Sequence, residues 1–258
     1  MSWGLLRESL APVDVGAVAE TLAPAVGWTP PQVMHGMSFH QGVWFRGVDE
    51  ATARRLEEGL RALGIGAQAV PLAELVDPPR PHLVRNADCL EAGLEIQEPT
   101  HSFQLAWSQL GLLAAAPLEE AVTERRSTPL FMRSGSSLDT PWGRRSGEGS
   151  YEVRHTVELW ALDLVTVDVA ARFRIRSHEF YYDYLADRRQ PNSAANFVLL
   201  VQDLARYAPH ARRTAAVDAL LADPNARVSP REPIFFEEEV RWHCQWLARG
   251  GPPVEIVI

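Results

Sequence analysis

The stretch from Ala171 to Pro209, ARFRIRSHEFYYDYLADRRQPNSAANFVLLVQDLARYAP, constrains the fold most, because it supplies a strand and an amphipathic helix in direct succession. Side chains alternate along a strand, so Phe173 and Ile175 face one way and Arg172, Arg174 and Arg176 the other. An aromatic cluster follows in Phe180, Tyr181, Tyr182 and Tyr184. Asn192-Ser193 then caps a helix whose apolar stripe is Phe197, Leu200, Val201 and Leu204, and Pro209 follows its end. A chain that needs both a sheet and helices to cover its apolar faces belongs to the α+β class.

Ahead of this stretch, residues 1–12 read as a loose lead-in. Asp14 caps a short helix that Gly27 stops, and Thr29-Pro30-Pro31 starts a second. Gly42–Gly47 (GVWFRG) reads as a strand. Asp49 then caps DEATARRLEEGLRALG, in which Ala53, Leu56, Leu60 and Leu63 recur at helical spacing. Ile65–Leu72 alternates as a returning strand, which gives a βαβ-type unit of the kind found in half a ferredoxin fold. The run RGVDEATARRLEEGLRALGIGAQAV, with VAETLAPAVGWTPPQVMHGM before it, resembles the C-terminal domain of ribosomal protein L7/L12 over residues 14–72. The resemblance implies a small α/β module over 1–76. The Lys-rich factor-binding face of that family is absent, so no ribosomal role is carried over.

Residues 77–81 (DPPRP) form a stiff linker, because three prolines favour extended backbone. From His82 the texture changes to short alternating runs, HLVRNAD, CLEAGLEIQ and SFQLAW, expected as antiparallel strands. WSQLGLLAAA (107–116) fits strand or helix; Gly111 and the preceding meander favour strand. Residues 121–150 are rich in Ser, Gly, Arg and Pro, carry a local charge of +2, and are expected as a flexible insertion. Tyr151–Val169 is a long strand-like run, Ala211–Leu221 a short helix, and FFEEEVRWHCQWLA (235–248) a final helix. The element order from 82 to 207 resembles a pleckstrin-homology-like barrel, which implies an antiparallel barrel or sheet closed by C-terminal helices over 82–258. The tandem layout and the segment HEFYYDYLADRRQPNSAANFVLLVQDLA also look like bacterial two-module proteins of unassigned activity.

The net charge is -8, and all 25 basic residues are arginine. An acidic chain does not suit general nucleic-acid or anionic-membrane binding, since phosphate recognition needs a concentrated positive field. No apolar run reaches the length of a membrane span. Two cysteines far apart form no disulfide framework, and MSWGLLRESLAPVDVG is not a signal peptide, so a reducing cytoplasmic setting is expected. There is no Walker A or GxGxxG run, no G-x-S-x-G elbow and no paired-cysteine metal spacing; no cofactor or metal is expected.

Two groups of residues carry the candidate chemistry. His178-Glu179 lacks the second histidine of a zinc protease, because position 182 is Tyr, yet His178, Glu179 and Asp183 remain a possible His-Glu-Asp set for a metal-assisted hydrolase. The plainer alternative places them in a turn beside a packed aromatic edge. Arg172, Arg174 and Arg176 on one strand face, with Arg188 and Arg189 across the turn, offer guanidinium groups for a phosphate, a carboxylate or an acidic partner. Neutralisation by Glu179, Asp183 and Asp187 is the plainer alternative there. His243-Cys244 are adjacent on a helix and diverge by about 100°, so they are not expected to work as a nucleophile–base pair. The expected function is a non-catalytic protein-binding or scaffold role with a protein partner; the alternative is the hydrolase.

Overall fold

The structure is a computed structural model that describes residues 1–38, 42–98, 101–128 and 149–251, with the backbone alone for 120–128 and 149–155. The first strand, β1 (Trp3–Arg7), corrects the expectation of a loose lead-in. All five of its residues are buried, so it lacks the polar alternation that marks a strand with one wet face. Helices α1 (Val15–Val26) and α2 (Pro30–Ser38) follow, then β2 (Val43–Val48), α3 (Glu50–Ala62) and β3 (Ala67–Pro71). Asp14 accepts from the Ala17 N–H and Asp49 from the Thr52 N–H, as their N-cap positions dictate. The strands of the expected βαβ unit do not pair with each other. β1 lies between them, antiparallel to both, with Leu5 opposite Trp44 on one side and Ala69 on the other.

Past the proline linker, β4 (His82–Val84) joins a different sheet from the meander β5 (Ala87–Leu90), β6 (Gly93–Gln97) and β7 (Ser102–Ala106). A single 3-10 turn at Trp107–Gln109 leads into β8 (Leu110–Thr128), so the 107–116 run is strand from Leu110 on. β9 (Gly149–Thr166) returns antiparallel to it, and β10 (Arg172–Arg176) pairs with β9. The expected flexible insertion at 121–150 is therefore strand at both ends; its middle, 129–148, lies outside the described residues. Next come α4 (Ser193–Tyr207), the short β11 (Arg212–Arg213), α5 (Ala215–Ala222) and α6 (Pro233–Ala248).

The larger sheet runs β11-β8-β9-β10-β4, and its outer pairs, β10 with β4 and β11 with β8, are parallel. None of the sheets closes into a barrel among the described residues, so the architecture is open mixed α and β rather than a barrel. Phe173 and Ile175 face α4 and α5, packing with Phe197, Leu200, Leu204, Val217 and Leu220; the meander adds Leu94, Ile96 and Leu105 to the same core. The opposite face carries Ala114, Ala116, Ala161 and Val165, small enough for α6 to approach closely through Phe236, Val240 and Cys244.

Helix α6 is covered on two sides. Its Trp242 and Trp246 pack against Leu6, Val43 and Val70, on the face of the N-terminal sheet turned away from α1–α3. A Cβ on Gly42 would sit 2.6 Å from that of Trp242, so the chain at the start of β2 can lie against α6 only without a side chain. A helix between two sheets has no polar face to spare, which is why eight of its residues are buried, Glu239, His243 and Gln245 among them.

Candidate functional site

The arginines of β10 divide along the strand. Arg172 and Arg174 are buried under α6, where both donate to the fully buried carboxylate of Asp163 on β9. The Arg172 Nε lies 2.7 Å from Asp163 Oδ2 and the Arg174 Nε 2.6 Å from Oδ1. Glu237 of α6 closes the quartet, accepting from Arg172 Nη1 at 2.7 Å and Arg174 Nη2 at 2.6 Å. Burial pushes the Glu237 carboxyl up, but the hydrogen bonds and charge of the two arginines outweigh it and hold the group below the usual carboxylate range. Two positive and two negative charges cancel, so the quartet is a tie between sheet and helix in which both guanidinium groups are already engaged.

Arg176, at the exposed end of the strand, turns to Glu179 at 3.2 Å. Glu179 also lies 3.6 Å from Arg85 and 3.4 Å from His178 Nε2. Asp183 is exposed and bound by Arg189 at 2.6 Å. Of the candidate hydrolase set, His178 lies beside Glu179, whereas Glu179 answers to Arg176 and Arg85 and Asp183 to Arg189. Arg188, itself exposed, reaches the buried carboxylate of Asp203 on α4, which it meets at 3.0 and 2.6 Å, with the Tyr184 hydroxyl donating to the same group at 3.3 Å. The five candidate arginines therefore do not converge, and among the described residues no three His, Cys, Asp or Glu side chains gather as a metal site.

What the chain does bring together lies where β10 ends and α4 begins. A surface cavity of about 550 Å³ is lined by Ser177, His178, Phe180, Tyr182, Arg189, Gln190, Pro191, Ser193 and Asn196. Its walls are fixed. The Tyr182 hydroxyl donates to the Ser177 carbonyl at 2.9 Å. Phe180 and Tyr182 meet edge to face at 5.0 Å. The Asn196 amide holds Gln190 through both its N–H and its carbonyl, at 2.6 and 2.9 Å. Asn192 caps α4 by accepting from the Ala195 N–H at 2.7 Å. His178 and Arg189 come from the residues singled out in the sequence; Ser177, Ser193 and Asn196 do not. Their signal was a serine closing the Arg/Phe strand and an Asn-Ser cap, both of which read as scaffold rather than site.

His243 and Cys244 are buried and packed apart. Burial, reinforced by the Arg212 charge, pushes His243 down to about 3, and burial first among its causes pushes the Cys244 thiol up to about 12. With its thiol un-ionised, Cys244 offers no thiolate. Set beside protein-family models, curated proteins and solved structures, the chain finds no match among any of them.

Proposed function

We propose that this is a non-catalytic binding or scaffold protein that engages a protein partner through the β8–β9 hairpin. One observation carries this. Beyond Glu119, whose N–H still donates to the Arg231 carbonyl at 3.2 Å, the hairpin continues in register from Glu120 opposite Val157 to Thr128 opposite Gly149. No third strand pairs with this part among the described residues. At ~3.3 Å per residue it extends about 30 Å as a two-stranded ribbon. Such a ribbon is marginal in water by itself, and among the described residues neither of its edges has a strand partner, the usual basis for strand addition by a partner chain. The local charge of +2 over residues 121–150 in a chain of net -8 favours an acidic partner.

The test replaces residues 120–157 with an Asn-Gly turn joining Glu119 to Glu158. Full-length and shortened proteins are immobilised and exposed to native lysate, and captured proteins are identified by mass spectrometry. A partner held by the full chain and lost from the shortened one, with Tm unchanged between the two, is the expected result. The same captured set for both, or none for either, ends the proposal. The metal-assisted hydrolase draws no comparable support, because Glu179 and Asp183 are held by separate arginines.

A further inference from the structure

We infer that the cavity between α2 and β2 binds a small monocarboxylate with an aromatic body. This cavity, of about 570 Å³, is walled by Trp28, Pro31, Phe45 and Val48, with Gln32 and Arg46 as polar groups. Its volume falls in the range that encloses a small organic molecule, and such sites pair apolar walls with a few placed polar groups.

The aromatic wall rests on a strained bulge. Trp44 and Phe45 are consecutive on β2, yet each is 2% exposed and both pack into the same core. A regular strand sends neighbouring side chains to opposite faces. Here Leu5 lies opposite Trp44 and Trp3 opposite Val48, so Phe45, Arg46 and Gly47 together face the single residue Gly4. The φ of Phe45 is +51° and that of Gly47 +94°. Positive φ is strained for a side chain as bulky as phenylalanine, and it persists only where the surroundings hold it. Bulges of this kind re-aim side chains, often beside a site. Gly36 of α2 makes room for the result, since a Cβ there would lie 2.4 Å from the Phe45 ring. Trp28 meets the same ring at 6.1 Å, tilted by 51°.

A second observation concerns charge and is independent of the strain. Arg46 is exposed at the cavity and has no ion pair or hydrogen bond among the described residues. The chain is acidic overall at -8, and it matches other arginines to carboxylates, as at Asp163 and Asp203. Among the described residues no Asp or Glu lines this cavity. A guanidinium beside an aromatic wall without an acid leaves the carboxylate to the ligand, which it can hold by two parallel hydrogen bonds. One guanidinium matches one negative charge, so a monoanion fits better than a phosphate. Gln32 adds a donor. Its Oε1 accepts from the Thr29 N–H and hydroxyl at 2.8 and 3.0 Å, which leaves its Nε2 to donate. This site lies in the N-terminal module and does not depend on the hairpin.

The probes are 2-naphthoate, its neutral amide 2-naphthamide, and acetate, each titrated into the full-length protein by calorimetry at constant ionic strength. The expected result is saturable binding of 2-naphthoate with a Kd of about 1 mM or tighter. The amide is expected to bind about tenfold more weakly, as loss of a charge-assisted contact implies, and acetate to give no saturable signal. Arg46→Gln is expected to bind the naphthoate and the amide alike. Arg46 is exposed and unpaired, so this variant should unfold at the Tm of the parent without ligand. Absence of saturable naphthoate binding in the parent overturns the proposal. So does acetate binding as tightly as naphthoate, or a preference for naphthoate over its amide that survives in Arg46→Gln.

Discussion

Trp242 donates its indole N–H to the main-chain carbonyl of Arg7 at 2.7 Å, joining positions 235 residues apart. Trp246, one turn on, donates to the same oxygen at 2.9 Å. The Arg7 guanidinium lies over the Trp44 ring at 4.3 Å, so β1, β2 and α6 meet at this one residue. Trp242→Phe or Trp246→Phe alone leaves the other indole serving the carbonyl, and each should cost about 1 kcal/mol. The double variant should lose more than the sum of the two, since both indole donors are then gone. Urea unfolding of the four proteins gives the coupling directly; strict additivity would mean that the shared oxygen does not link the two helical turns.

The buried quartet predicts a larger effect. Asp163→Ala leaves Arg172 and Arg174 in the core with Glu237 as their remaining carboxylate, and an uncompensated buried charge of this kind costs about 3–5 kcal/mol. Glu237→Gln, at a half-exposed position, should cost less. It should also reduce the acid sensitivity of the fold. The folded-state pKa of Glu237 is depressed, so its stabilisation is present above the ordinary carboxylate range and lost as pH falls through the folded value. Denaturant midpoints for the two variants at neutral and acid pH check both statements; equal losses for the two would contradict the unequal burial of the two acids.

The helices were legible in the sequence because their signals are local: Asp14, Asp49 and Asn192 sit at N-caps, each followed by an apolar stripe at helical spacing. The opposite facing of Phe173/Ile175 and Arg172/Arg174 was legible for the same reason. What α6 does was not. Its pairing with Leu6, Val43 and Val70 depends on contacts across more than 150 residues, which no local pattern encodes. β1 was missed because a strand covered on both faces loses the alternation that reveals strands. The arginines of 172–189 stand out as a group, but the acids that claim three of them, Asp163 and Asp203, lie on other elements. The cavity at α4 emerged only once Ser177 and Ser193 were folded together.

Both thiols should be inert in the native protein. Burial, followed by the nearby charge of Asp203, pushes Cys89 up to about 12, and burial pushes Cys244 to about 12 as well. At mildly alkaline pH almost no thiolate is present at either position, and the thiolate is the species that alkylates. Iodoacetamide followed by intact-mass analysis should therefore add no label to the folded chain and two in urea. Rapid native labelling at Cys244 would mean that α6 leaves its place between the sheets.

His243 sets a pH dependence of its own. It is fully enclosed, its Nδ1 has no hydrogen-bond partner among the described residues, and burial, then the Arg212 charge, lowers it from 6.5 to about 3. In the unfolded chain the imidazole takes up a proton as pH falls through about 6.5, whereas the folded chain refuses it until about 3. The unfolded state thus binds more protons across that window, and stability falls with falling pH by up to about 1.4 kcal/mol per pH unit. Above the unfolded value the residue contributes no pH dependence. The interval from 6.5 down to about 5 separates this effect from the carboxylates, which titrate lower in the unfolded chain. Glu239, raised by its own burial, acts in the opposite sense at the acid end. His243→Phe removes the titrating group and an unpaired buried nitrogen together. Its stability should therefore be flatter over this interval, with a difference from the parent approaching about 2 kcal/mol at the acid end. Equilibrium unfolding at several pH values measures both slopes; identical slopes would show that His243 takes up its proton without unfolding the chain.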